Sequence, residues 1–157
     1  MRLPWYYPLL VSPLLRGRKS KAIHDGVISV TKDGGKTWAD VTPKKLPKGG
    51  RVESIEPSQF NPAKAYIAVD RHLLGDNTPY FYMTQDYGKS WELLSTASNG
   101  IPSDYTSKVL REDPEKEGLL YAGTEYGMFV SFDDGKTWRE FQQNLPVTPI
   151  TDIIINR

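Results

Sequence analysis

The 157 residues amount to one domain on a scale of about 100 to 200 residues per domain, and a 38% apolar content is enough to fill a core. Twenty Lys and Arg against nineteen Asp and Glu leave a net charge of +1, far from the basic excess that phosphate-backbone binding imprints on a sequence, so no nucleic-acid partner is expected. The absence of Cys excludes a disulfide framework and thiol chemistry, and two isolated His residues argue against a His-built metal site; neither a metal nor a cofactor is expected.

In chain order, residues 1–15 (MRLPWYYPLLVSPLL) are apolar, but Pro4, Pro8 and Pro13 forbid a continuous helix and the run is too short to cross a bilayer, so no membrane span is predicted. The basic cluster Arg16, Arg18, Lys19 and Lys21 follows the apolar run instead of preceding it, which is not the layout of a secretory signal. Residues 1–22 therefore read as an atypical apolar and basic arm ahead of a domain over 23–157. Residues 27–31 and 37–41 then read as strands, and 19–25 can serve as a strand before them.

Between 31 and 38 stands Thr31-Lys32-Asp33-Gly34-Gly35-Lys36-Thr37-Trp38, and the pattern returns as Thr84-Gln85-Asp86-Tyr87-Gly88-Lys89-Ser90-Trp91 and as Ser131-Phe132-Asp133-Asp134-Gly135-Lys136-Thr137-Trp138. The Trp spacings of 53 and 47 residues match the period of a propeller blade. Each residue type has a local task. Asp accepts backbone N–H bonds within its own turn, Gly takes the positive φ of a tight hairpin, the Ser or Thr hydroxyl closes the loop, and Trp buries a large ring beside it. The motif thus reads as a structural hairpin clasp.

Around the second clasp, 52–58, 64–70, 80–84 and 91–95 read as strands A to D of one blade, with the clasp at the C–D turn. Residues 107–112, 119–124, 128–132 and 137–141 repeat the set, and 150–156 (ITDIIIN) reads as strand A of a further blade. The fold expected is all-β, made of four-stranded antiparallel blades: two complete ones plus partial ones. Two and a half blades cannot close a ring, and open edges invite pairing. If 19–25 is a strand B, the terminal strand A of one copy completes the opening blade of another, so a homo-oligomer, a dimer first, is expected.

The three clasps resemble the Asp-box of the BNR-repeat proteins. The run Leu120-Tyr121-Ala122-Gly123-Thr124-Glu125-Tyr126-Gly127, leading into Phe129-Val130-Ser131-Phe132-Asp133-Asp134-Gly135, is similar to sortilin-like and glycosyl-hydrolase-like members. The resemblance runs from about His24 to Arg157; residues 1–22 match nothing in that family, and a family propeller is much longer, which points to a fragment. It implies a β-propeller and a bacterial periplasmic or secreted setting. It does not fix an activity, because sialidases, xyloglucanases, photosystem assembly factors and sorting receptors share the fold.

Propeller ligands enter on the rim of the B–C and D–A connections, opposite the clasps. The B–C corners carry His24-Asp25, Asp70-Arg71-His72 and Glu125-Tyr126, one acid at each. Glycoside hydrolysis needs one protonated and one ionised carboxylate, about 5 to 9.5 Å apart. Asp70 with Glu125 is the expected pair, with Asp25 in reserve. Arg71 and His72 would hold hydroxyls or tune a pKa, and Tyr126, Tyr105 and Tyr80 would stack on sugar rings. The competing reading is that an acid near Gly is what a hairpin corner requires. A sialidase would need three Arg on one carboxylate, and Arg51, Arg71 and Arg111 do not fall into that pattern. A xyloglucanase-like inverting hydrolase suits a carboxylate pair better, although its cleft normally needs two propellers. Asn99, Asp104 and Asp76-Asn77 are oxygen-rich without the ligand spacing of a calcium loop. Two functions follow: a glycoside hydrolase with paired loop carboxylates, or a non-catalytic propeller binding protein or glycan.

Overall fold

The computed structural model describes residues 19–22, 26–31, 33 and 35–156; residues 1–18, and His24 with Asp25, lie outside the described residues. Three antiparallel sheets follow one another. The first joins β1 (Lys19–Ala22), β2 (Ile28–Thr31) and β3 (Ala39–Asp40) in that order. The second runs β4 (Arg51–Pro57), β5 (Ala65–Arg71), β6 (Asp76–Thr84) and β7 (Glu92–Leu93). The third runs β8 (Ser107–Glu112), β9 (Leu120–Thr124), β10 (Met128–Ser131) and β11 (Arg139–Glu140). This is the expected series of two whole blades and a partial one, and the last four residues of the expected arm are strand β1. No helix among the described residues is long and apolar enough to cross a membrane.

The strands expected over 37–41, 91–95 and 137–141 shorten to two residues each, and two further boundaries differ from expectation for physical reasons. Strand β6 starts at Asp76, ahead of Pro79, because a register shift between Val69 and Arg71 takes the residues around the proline out of the regular ladder. Residues 150–156 form no ladder among the described residues. Ile150 instead donates its N–H to the Thr124 carbonyl at 2.9 Å, and Arg111 holds Asp152 at 2.9 Å.

The core explains why the middle sheet is almost wholly buried. Side chains alternate across a strand, so Tyr66 and Ala68 of β5, with Phe81 and Met83 of β6, face one way. They join Leu110, Leu120, Ala122, Phe129 and Trp138 of the third sheet. Ile67, Val69, Tyr80 and Tyr82 face the other way, into a cluster with Ile28, Leu46, Val52 and Ile55. Each sheet of this kind has two apolar faces, and only a neighbouring sheet can cover each one.

The three clasps are superposable in their bonding. Thr37, Ser90 and Thr137 each donate a backbone N–H to the clasp Asp at 2.9 Å and a hydroxyl to it at 2.6 Å. Gly35, Gly88 and Gly135 donate N–H to the opening hydroxyl at 2.9, 2.8 and 2.8 Å. The clasps also fasten one sheet to the next. Trp91 Nε1 donates to the Val41 carbonyl at 2.6 Å, and Trp138 Nε1 donates to the Leu94 carbonyl at 2.8 Å. Gly88 backs onto the Val41 side chain and Gly135 onto Leu94, so closely that a Cβ would stand 2.6 and 2.8 Å from them. A hairpin lock is therefore also an inter-sheet joint.

Replacing Gly88 by Ala forces a Cβ into Val41 at a backbone φ of 83°, and we expect a loss of about 2 to 3 kcal/mol in urea denaturation. Gly75→Ala, at φ 74° with open space around it, should lose only about 1 kcal/mol from backbone strain. The clasp carboxylates also set an acid limit. The Ser90 hydroxyl and backbone N–H hold Asp86 down at about 2, and Thr37 and Thr137 lower Asp33 and Asp133 in the same way. A depressed folded-state pKa means that their stabilisation is complete above about pH 4, the unfolded value, and is lost as pH falls towards 2. Circular dichroism during acid titration should show unfolding in that window, and Asp86→Asn should flatten the dependence.

Candidate functional site

On the rim opposite the clasps, the expected pair comes together. Asp70 at the end of β5 accepts a hydrogen bond from Lys108 Nζ at 2.8 Å, and the same ammonium donates to Glu125 Oε2 at 2.9 Å. The two carboxylates, from adjacent sheets, thus stand no further apart than two hydrogen bonds. His72 donates its backbone N–H to Asp70 at 2.8 Å, and its Nδ1 lies 2.7 Å from both Asp70 oxygens. The Asp70 side chain is only 3% exposed, whereas that of Glu125 is 37% exposed. Burial alone would raise the Asp70 pKa, but Lys108 and the two His72 contacts outweigh it and hold Asp70 below the usual carboxylate range. Burial likewise opposes the charge on Lys108, yet Asp70 and Glu125 keep its pKa above the ordinary value.

Lys108 was not legible as a site residue. It sits at a β-bulge, where the β8–β9 register shifts between Ser107 and Val109. The preceding sheet has the same irregularity between Val52 and Ser54, which leaves Glu53 as the extra residue. A bulge re-aims its side chain, and here it delivers a charged residue from successive first strands. Burial raises the Glu53 pKa, with the Asp70 charge adding to the rise and Arg51 opposing it. The available signal was a charged residue next to the buried Ser107, Val109 and Leu110.

The other expected residues fall into two groups. Tyr105 and Tyr126 lie with ring centroids 5.0 Å apart, beside Glu125, and Tyr126 is 44% exposed. His72, Asp70, Glu53 and Arg51 border a cleft of about 350 Å³ together with Gly50 and Arg71. The exposed Leu73 and Leu74, in a short 3-10 turn at the corner, form its lip. Arg71 and Tyr80, by contrast, are spent on the wall. Arg71 donates to Asp76 at 2.8 Å and to the Pro47, Lys48 and Gly49 carbonyls, pinning the connection from the first sheet to the second. Tyr80 is stacked on Tyr82 in the core and donates its hydroxyl to Asp76 at 2.8 Å. Asp25 lies outside the described residues. Arg51, Arg71 and Arg111 bond to different protein groups, Glu53, the connection carbonyls with Asp76, and Glu56 with Asp152 respectively.

A second charged cluster lies towards the clasp rim: Arg111 with Glu56 at 3.4 Å and Asp152 at 2.9 Å. Burial pushes the Glu56 carboxyl up to about 7 against the pull of Arg111. Among the described residues no group of three or more His, Asp or Glu is placed to hold a metal ion.

A family model, Sortilin-Vps10, described as "Sortilin, neurotensin receptor 3,", matches residues 26–149. A xyloglucanase of Hypocrea jecorina (strain QM6a) is 26% identical over 150 residues, covering 77% of this chain and 17% of its own length. Among solved structures, a GH74 enzyme of Niastella koreensis superposes with a TM-score of 0.67 at 16% identity, over 88% of this chain and 22% of that one. YCF48 bound to D1 peptide superposes with a TM-score of 0.62 at 21% identity, over 84% and 40%. The structural likenesses establish the fold, and the chain spans less than a fifth of the length of the xyloglucanase it matches.

Removing the ammonium at the centre leaves the buried Asp70 with His72 as its remaining partner. Lys108→Met should cost about 2 to 4 kcal/mol in chemical denaturation, and Lys108→Met combined with Asp70→Asn should recover most of that loss. With Asp70→Asn measured alone as well, a double-variant cost equal to the sum of the two single costs would show that the pair is not coupled.

Proposed function

The chain belongs to the Sortilin-Vps10 family, and from that premise we propose that it is part of a carbohydrate-active propeller that takes a polysaccharide on the rim of the B–C and D–A connections and hydrolyses it with paired carboxylates. The observation carrying this reading is the meeting of Asp70 and Glu125, one from each of two adjacent sheets, on the single ammonium of Lys108. Bridged by one ammonium, they lie towards the short end of the range of about 5 to 9.5 Å over which paired carboxylates act on a glycosidic bond. Asp70, kept ionised, suits the anionic role. Glu125, the more exposed of the two, is the carboxylate that a bound substrate reaches first. His72 orients Asp70. Tyr105 and Tyr126 offer ring faces to sugar, while Arg71 and Tyr80 act through the wall they hold in place; Asp25 would extend the row on the preceding corner. The xyloglucanase relative makes xyloglucan oligosaccharides the first ligands to try.

A second reading, glycan or protein binding without reaction, is favoured by Lys108 itself, which occupies both carboxylates, and by the near-complete burial of the Asp70 side chain. In either reading, blades flanking the described ones would extend the rim on both sides.

Chromogenic glycosides and calorimetry with xyloglucan oligosaccharides separate the two. On the hydrolytic reading, Glu125→Gln lowers turnover by at least about 100-fold, Asp70→Asn lowers it as well, and Tyr126→Ala weakens binding about tenfold. Binding without turnover in the wild type selects the second reading. Neither binding nor turnover would remove carbohydrate as the ligand.

A further inference from the structure

Among the described residues the joint between successive sheets is made twice, at Val41 and at Leu94, and the turn beside it is built alike both times. After Val41, the Thr42 hydroxyl accepts the Ile28 N–H at 3.0 Å, and the Leu46 N–H donates to the Pro43 carbonyl at 3.0 Å. After Leu94, the Ser95 hydroxyl accepts the Phe81 N–H at 3.2 Å, and the Asn99 N–H donates to the Thr96 carbonyl at 3.1 Å. Three equivalent places nevertheless hold different residues: Ala97, Ser98 and Asn99 at the second joint, Lys44, Lys45 and Leu46 at the first. Asn99 closes its joint. Its carbonyl accepts the Trp138 N–H at 2.7 Å, and its amide donates to the Leu94 and Gly135 carbonyls at 2.6 and 3.4 Å, leaving Trp138 only 4% exposed. Leu46 turns instead into the apolar cluster between the first two sheets, and Trp91 stays half-buried.

The first joint therefore keeps a cleft of about 550 Å³, within the range of about 300 to 1,000 Å³ typical of ligand pockets. Trp91 lines it, and its ring is fixed because Nε1 is tied to the Val41 carbonyl. Lys44 and Lys45 stand on the turn, and Lys89 on the second clasp. All three are exposed, and no ion pair among the described residues engages them. The carboxylate on the same lining, Asp40, already accepts the Thr42 N–H and hydroxyl at 2.9 and 2.6 Å. Three ammoniums against one occupied carboxylate leave the cleft positive beside a fixed aromatic face.

We infer that this cleft binds an acidic oligosaccharide, a sugar ring stacked on Trp91 and its carboxylate or sulfate groups set against Lys44, Lys45 and Lys89. A rigid indole offers a flat apolar face to the CH side of a sugar. Lys is a compact point charge on a flexible stem, so it meets an anion without demanding a fixed two-pronged geometry. Ammoniums on two separate elements, the turn and the clasp, suit negative charges repeated along a chain of sugars. A peptide strand is the poorer occupant: β3, the edge strand on the lining, is two residues long, too short for the ladder on which strand addition depends. The cleft adjoins the second clasp, whereas Asp70 and Glu125 stand on the rim opposite the clasps, so the inference does not rest on the reaction or the ligand proposed there.

Titration calorimetry of the chain with oligogalacturonates, sulfated dextran oligosaccharides, neutral dextran oligosaccharides and oligoglutamate tests it. The wild type is expected to bind the carboxylated or the sulfated glycan at least about tenfold more tightly than neutral dextran or oligoglutamate, and the better of the two identifies the anionic group. Lys44→Ala combined with Lys45→Ser, both exposed and now matching the closed joint, should weaken that binding at least about tenfold with the urea midpoint unchanged. Lys116→Ala combined with Lys136→Ala removes the same charge around the third clasp, where Lys116 stands over Phe132, and should leave the affinity as it is. No binding of either acidic glycan overturns the inference, and so does tighter binding of oligoglutamate. An equal loss in the two double variants overturns it as well, because the attraction would then belong to the overall charge and not to the cleft.

Discussion

A four-stranded sheet with apolar side chains on both faces must be covered twice, and that requirement shapes everything else in this molecule. The middle sheet meets it within the chain: β5 and β6 send alternate side chains into two separate clusters, one shared with each neighbour. Burial of this kind is the largest favourable term available to a chain that has no Cys to form disulfides. It works only if successive sheets keep a fixed spacing and angle. The clasps supply that control, because the same eight residues that tighten a hairpin also aim a Gly and a Trp at the preceding sheet.

The rim opposite the clasps follows from the same stacking. Bringing β8 against β4 and β5 places Lys108 between a carboxylate of its own sheet and one of its neighbour's. The bulges at Glu53 and Lys108 turn side chains out of the ladder, so that the charge appears at the rim and not in the apolar contact. The cleft's wall has a matching origin: Arg71, almost fully buried, uses its guanidinium to fix the carbonyls of the incoming connection. Charge is thus concentrated where two sheets meet, the place at which a ligand spanning both would be gripped.

Much of the fold was legible because the clasp is a local code. The side chains of Thr31, Asp33 and Thr37 bond within their own turn, so their spacing in sequence already states the structure, and the strands on each side follow by alternation. The start of β6 was less legible, since Pro79 argues against a strand unless a bulge accommodates it, and a bulge leaves no mark in composition. At the candidate site, the acids Asp70 and Glu125 were visible as corner residues, and their meeting was expected from adjacent blades. Lys108 was not visible, because its role depends on an inter-sheet contact between residues 38 apart and on a register shift. Arg71 and Tyr80 look like ligand contacts in sequence, yet both have hydrogen-bond partners inside the protein that only the folded chain brings near.

The central claim is that stability is concentrated in the sheet covered on both faces and declines outward from it. Native-state amide hydrogen exchange, read residue by residue, tests this directly. Slowest exchange is expected in β5 and β6, with β2, β3, β10 and β11 opening at lower free energy. Equal protection across the three sheets, or greatest protection in an outer one, would contradict the account.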